Sequence, residues 1–175
     1  MRSMEPQRHI YIGLGSNLQD RIGQLARAVK AIETQIGPVL ERSSIYESEA
    51  WGLEAQDNFM NAAIEVRSAL DPRAILDRLL AIELQMGRRR KEKWGPRLID
   101  LDLLFYQDRI IQEADLVVPH PQLHLRNFVL IPMLEIAPDW VHPIYQRSIE
   151  ELYWQAPDAG EVYIFQKNWP VLPEM

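Results

Sequence analysis

Apolar positions alternate with polar or small ones in some stretches of the chain and recur every three to four residues in others. His9 to Leu14 alternates, placing Ile10, Ile12 and Leu14 on one face of a first strand. Gly15-Ser16-Asn17 breaks it. A helix is predicted from about Asp20 to Gln35, with Ile22, Leu25, Val29, Ile32 and Ile36 as its apolar stripe, ended by Gly37-Pro38. Val39 to Glu47 reads as a second strand, Ser48 to Asn58 as a loop, and Phe59 to Val66 as a third strand with Phe59, Asn61, Ala63 and Glu65 on one face. Asp71-Pro72 is an N-cap followed by proline at the first helical position. Ile75, Leu79, Ile82 and Met86 give that second helix its buried side, and Gly87 terminates it. Leu98 to Phe105 is a buried strand: Ile99, Leu101, Leu103 and Phe105 face a core, while Asp100 and Asp102 share the other face.

The remainder is shorter-range. Gln107-Asp108-Arg109 makes a turn, Ile110-Ile111 a short return strand, and Pro119-His120-Pro121 a rigid bend. Phe128 to Ile136 is an apolar helix interrupted by Pro132. Ser148 and Glu151 form a capping box that opens a helix to about Trp154, and Val162 to Phe165 makes a last strand. The order β-α-β-β-α-β is the split βαβ arrangement, an α+β fold. No linker divides the chain. Residues 9–155 are expected to form one domain, between a tail of residues 1–8 and an extension of residues 156–175.

Composition narrows the class of function. The 175 residues, 47% hydrophobic and 25% charged, suit a single domain with a core. A net charge of −6 argues against general nucleic-acid or membrane binding. The absence of cysteine excludes disulfides, thiolate metal sites and a cysteine nucleophile. No stretch approaches the ~18 apolar residues of a membrane span. The expectation is a cytoplasmic protein, a monomer with a dimer as the alternative, with no nucleic-acid or membrane partner.

Against that acidic background, Gly87 to Asp102 stands out. Arg88, Arg89, Arg90, Lys91, Lys93 and Arg97 surround one carboxylate, Glu92, with Trp94 inside the run and Gly95-Pro96 turning the chain. A solvated basic face is the common meaning of such a run. Here it leads straight into the strand of Asp100 and Asp102, whose like charges share a face and repel. A bound cation would remove the repulsion, and carboxylates with phosphate oxygens are the usual Mg²⁺ ligands. Arginine forks bind phosphate oxygens. An amphipathic edge strand with solvated aspartates is the alternative from spacing alone. Two weaker signals accompany the pair. Phe59 and Asn61 offer a ring and an amide to a flat heterocycle, and Gly15-Ser16-Asn17 could present N–H groups to an anion at a helix start.

YIGLGSNL, FMNAAIEV, GRRRKEKWGPRLIDLDLL and VPHPQLHLRNFVLIPMLEIAP, in this order, closely resemble the 6-hydroxymethyl-7,8-dihydropterin pyrophosphokinase family of folate biosynthesis. The resemblance covers roughly Ile10 to Tyr153, and the WGPRxxDLD block is its most specific part. It implies a ferredoxin-like α/β/α sandwich with a central, mainly antiparallel sheet. It implies transfer of pyrophosphate from ATP to the pterin hydroxymethyl group, giving AMP and the pterin diphosphate.

By the same resemblance, Asp100 and Asp102 match ligands of two Mg²⁺ ions, and Arg88 and Arg97 match catalytic arginines on the phosphates. Glu83, Arg90, Trp94, His120 and Arg126 fall on ATP-site positions, with Arg90 and Trp94 on a loop that closes over the site. Asn61 and Phe128 match the pterin pocket, Phe59 takes a place where tyrosine is usual, and Ser48 and Trp51 lie on a pterin-contacting loop. Leu80 stands where some members have glutamine. Three rivals are a single-stranded RNA-binding module on the same fold, a kinase of another heterocycle, and an inactive relative.

Overall fold

The computed structural model describes residues 7–49, 57–87, 98–158 and 160–173. Strand β1 (Arg8–Ser16) leads to helix α1 (Arg21–Gln35), then β2 (Val39–Arg42), β3 (Ile45–Ser48) and the long β4 (Phe59–Ser68). Helix α2 (Pro72–Gln85) and strand β5 (Asp100–Tyr106) follow, then a small hairpin of β6 (Ile111–Glu113) and β7 (Leu116–Val118). A 3₁₀ turn (Leu123–Leu125), α3 (Asn127–Ile136), α4 (Ile149–Gln155) and β8 (Val162–Gln166) complete the chain.

The main sheet is antiparallel throughout, in the order β5-β1-β4-β3-β8, with β2 also on β4. Taken with β2 and β3 as one broken strand, this is the split βαβ order predicted, with β8 added at the edge. The predicted second strand is divided at Ser43-Ser44, where Ser43 Oγ accepts the Ala63 N–H at 2.9 Å in place of a regular ladder partner. The Glu135 carboxylate of α3 secures the break: it accepts the Ser44 N–H (2.6 Å), the Ser44 hydroxyl (2.8 Å) and the Tyr46 hydroxyl (2.9 Å). Burial and that carboxylate both push the Tyr46 phenol well above its usual range.

Alternation divides the side chains between two cores. Ile10, Ile12, Leu14, Ile64, Val66, Leu101 and Leu103 face α1 and α2, meeting Leu25, Ile32, Ile75 and Leu79. Tyr11, Ala63, Leu104 and Phe105 face α3 and α4, meeting Leu130, Met133, Ile149 and Leu152. The molecule is therefore an α/β/α sandwich. Phe105 was expected in the first core with Leu101 and Leu103. A register shift corrects this: Ile12 pairs with Leu103 and Tyr11 with Phe105, so Leu104 is an extra residue. Such a bulge switches the face of everything after it, and Leu104 and Phe105 both end up under α3.

Two other boundaries differ from the sequence reading. Strand β1 continues through Gly15 to Ser16, because β4 and β5 flank it on both sides and supply its backbone partners. The helix start after it is closed to an anion: the Asp20 carboxylate accepts the Gly23 N–H at 3.1 Å and occupies the cap. Ile111–Glu113 pairs with β7 and not back onto β5. Gly87, at φ +92°, ends α2 as predicted. The extension is docked: β8 pairs along β3, and the Trp169 indole N–H donates to Ser43 O at 2.8 Å.

Candidate active site

The antiparallel register sets two rows across the middle of the sheet. Asn61 on β4, Gly15 on β1 and Asp100 on β5 lie side by side, and Ala63, Gly13 and Asp102 form the next row on the same face. With strands about 4.8 Å apart, each aspartate backbone lies roughly 9–10 Å from its β4 counterpart, across a glycine. The glycines make the floor. A Cβ on Gly15 would come within 3.3 Å of Asn61 Oδ1 and 3.7 Å of the Phe59 ring, and one on Gly13 within 3.4 Å of Leu104. Their missing side chains leave a slot between an amide and aromatic on one side and two carboxylates on the other.

The slot is a cavity of about 480 Å³. Ser48, Phe59 and Asn61 form one side, Asp100 and Asp102 the other, and Gln122, Arg126 and Phe128 the top. Pro157 and Asp158, from the chain after α4, complete the wall. Asn61 is buried, and its Nδ2 donates to Ser48 Oγ at 2.6 Å. That bond fixes the amide with Oδ1 toward Gly15 and the floor. Ser16 Oγ donates to Leu98 O at 2.6 Å and holds the start of the aspartate strand against β1. The Arg126 guanidinium lies over the Phe128 ring, 5.5 Å from its centre, and also donates to Gln122 Oε1.

His120 sits beside this wall without lining the cavity. Its backbone N–H donates to Leu104 O at 3.0 Å, and its Nδ1 accepts the Gln122 N–H at 3.2 Å. Burial, aided by the Arg126 charge and opposed by Asp100, pushes the imidazole down to about 4. The ring is neutral at pH 7, with Nδ1 as an acceptor and its proton on Nε2.

Among the described residues, no group of three or more His, Cys, Asp or Glu side chains could hold a metal ion. The aspartate pair still fits a particular cation. Mg²⁺ is commonly held by one or two carboxylates, with water and substrate phosphates filling its other positions. Two carboxylates on one strand face, beside a cavity open to substrate, are that donor set.

The sequence matches the model of the 7,8-dihydro-6-hydroxymethylpterin-pyrophosphokinase family (HPPK) over residues 11–138. The chain belongs to this family. A 2-amino-4-hydroxy-6-hydroxymethyldihydropteridine pyrophosphokinase of Aquifex aeolicus is 42% identical over 142 residues, 81% of this chain and 88% of that one. The Synechocystis pyrophosphokinase of the same name is 44% identical over 163 residues, 93% and 80% of the two chains. Among solved structures, an HPPK-DHPS in complex with substrates superposes with a TM-score of 0.70 at 17% identity, over 86% of this chain and 43% of that one. Wild-type Plasmodium falciparum HPPK-DHPS with pterin and p-hydroxybenzoate gives 0.70 at 16% identity, over 89% and 42%. This chain spans less than half the length of those two, and the likeness establishes the fold.

In this HPPK-family chain, Ser48, Phe59, Asn61, Asp100, Asp102, Arg126 and Phe128 meet at one cavity. Their sequence positions run from the third strand to the third α-helix, so only the sheet register and α3 bring them together. Glu83 is buried on α2, next to Ile82, and does not line the cavity. Trp51, Arg88, Arg90, Trp94 and Arg97 lie outside the described residues.

Gly13, Leu104, Pro157 and Asp158 were not singled out from the sequence as site residues, and Gly15 only as part of an anion-binding turn. The glycines had a legible signal: in Ile12-Gly13-Leu14-Gly15 they recur with period two, which strips one strand face of side chains. Pro157 and Asp158 carried none, because only the docking of β8 brings them there.

Proposed function

We propose that the two sides of the cavity bind the two substrates of one transfer. The pterin lies between Phe59 and Phe128 with Asn61 on its edge, and the phosphates of ATP lie over Asp100 and Asp102. The activity is that of a pyrophosphokinase of folate biosynthesis. The hydroxymethyl oxygen attacks the β-phosphorus of ATP, the bond from that phosphorus to the α,β-bridging oxygen breaks, and AMP leaves. The hydroxyl proton goes to solvent. The observation that carries this reading is the register itself, which puts a heterocycle-sized slot and a carboxylate pair on either side of Gly13 and Gly15.

Asp100 and Asp102 are the residues that hold Mg²⁺, two ions in this proposal. The bound cations supply charge neutralisation of the phosphates and lower the pKa of the attacking hydroxyl. The chain's own residues do the rest. Phe59 and Phe128 fix the ring by stacking. Asn61, already oriented by Ser48, hydrogen-bonds its edge. Arg126 and neutral His120 offer donors at the nucleotide side, with Glu83 as a further ATP-site residue. Arg88 and Arg97 stabilise the transferring group, Arg90 and Trp94 serve the ATP side, and Trp51 serves the pterin side. Transfer of this kind depends on positioning and electrostatics more than on covalent help. The protein acts as a cytoplasmic monomer in this reading.

The test is AMP formation from ATP and Mg²⁺, with and without 6-hydroxymethyl-7,8-dihydropterin. Pterin-dependent AMP without ADP is expected. ADP would mean transfer of a single phosphoryl group. Absence of turnover in folded protein would overturn the proposal. An RNA-binding module is not favoured, because the chain matches a pyrophosphokinase family and α3 and α4 cover part of the sheet face that would carry the bases.

A further inference from the structure

The start of α3 presents a puzzle in capping. A helix leaves its first N–H groups without partners, and Ser, Thr, Asp or Asn at the N-cap supplies one. Here the N-cap is Arg126, which makes no side-chain capping bond. Its guanidinium, a donor only, is turned to the Phe128 ring and to Gln122. The cap comes instead from Asp158, thirty-one positions after Asn127. Asp158 Oδ2 accepts the Asn127 N–H at 2.9 Å, and Asp158 O accepts Asn127 Nδ2 at 3.0 Å. The other carboxylate oxygen accepts the Gly160 N–H at 2.7 Å, which orients the group. The negative charge also lies at the positive end of the helix dipole.

Asn127 is flanked by two of the residues that make the roof of the cavity, Arg126 and Phe128, and Asp158 itself forms part of the wall. We propose that Asp158 is a positioning residue for substrate binding: it clasps the first turn of α3 and so sets Phe128 over the pterin slot. This rests on the functional reading above. The clasp is anchored on its far side, because β8 begins four residues after Asp158 and pairs along β3, the strand that ends in Ser48. Both sides of the pterin slot are thereby linked through the C-terminal segment.

The test is the effect of Asp158→Ala in two backgrounds. In the otherwise unmodified protein the pterin KM should rise about ten-fold, the scale of losing a charge-assisted cap, with kcat changed less. Asp158→Asn, which keeps one acceptor, should recover most of the loss. In a Phe128→Ala background the same Asp158→Ala change should have little further effect on pterin KM, because the ring it positions is gone. An equal loss in both backgrounds, or an unchanged KM in the first, overturns the proposal. Should Asp158→Ala fold poorly, Asp158→Ser gives the same comparison.

Amide hydrogen exchange decides the clasp without any substrate. Asn127 to Leu130 should exchange faster in Asp158→Ala, and unchanged exchange there overturns it. If the unmodified protein makes no pterin-dependent AMP, the functional reading fails and the exchange result still stands.

Discussion

At the scale of single residues, charge and hydrogen-bond capacity decide what each side chain can do. Asp100 and Asp102 are the paired carboxylates proposed to hold Mg²⁺ against phosphate, so Asp102→Ala should lower kcat by roughly 10³-fold or more. A steady-state AMP assay checks this, and turnover near that of the unmodified enzyme would remove the metal assignment. Asn61 is committed differently. It is buried and already bonded to Ser48, so Asn61→Ala leaves both that hydroxyl and the bound pterin unpaired. Pterin binding should weaken by about ten-fold, at a cost of roughly 1–3 kcal/mol per unsatisfied buried group, as titration calorimetry would show.

His142 offers a prediction in pH. It is buried, its Nδ1 accepts the Ile144 and Tyr145 N–H groups at 3.2 and 3.4 Å, and the His124 ring lies 6.4 Å away. Burial first, then the His124 charge, pushes its imidazole down to about 4. The unfolded chain therefore takes up this proton near pH 6.5 and the folded chain only near 4. The stability this group confers is complete above about pH 6.5 and is lost as pH falls toward 4, by up to about 3 kcal/mol. Urea midpoints between pH 7 and pH 4 should fall less steeply in His142→Asn, whose amide oxygen can accept the same N–H groups.

At the scale of elements, strand irregularities do as much as regular pairing. The bulge at Leu104 turns Phe105 from one core to the other, and the break at Ser43-Ser44 lets Tyr46 reach Glu135. Removing the carboxylate in Glu135→Ala leaves three donors, two on Ser44 and one on Tyr46, without their acceptor. The loss should be about 2–3 kcal/mol of stability with little change in KM, measured by urea denaturation beside the AMP assay. The glycine row of β1 works in the opposite direction. Gly15→Ala would crowd Asn61 Oδ1 at 3.3 Å, so it should raise pterin KM while costing little stability.

At the scale of the whole molecule, a chain of net charge −6 carries six of its basic residues between Arg88 and Arg97 of the sequence. The sandwich is built around two apolar cores. Chelation with EDTA should therefore stop turnover but shift Tm little, and Mg²⁺ should restore activity. A large fall in Tm on chelation would mean that the cation also holds the fold together.

Local chemistry determined much of this from the sequence alone. Period-two alternation placed Ile10, Ile12 and Leu14 in a core and put Asp100 beside Asp102. Asp71-Pro72 and Ser148 with Glu151 marked helix starts, as their side-chain bonds bear out. Those signals act over a few residues, where backbone geometry and side-chain chemistry suffice. The family motifs carried the activity class further than spacing could. Tertiary structure decided what depends on partners far along the chain: the register that sets Gly15 between Asn61 and Asp100, the bulge that turns Phe105, and the return of Asp158 to α3. Strand pairing, unlike strand formation, is fixed by which backbones meet, and no local pattern encodes that.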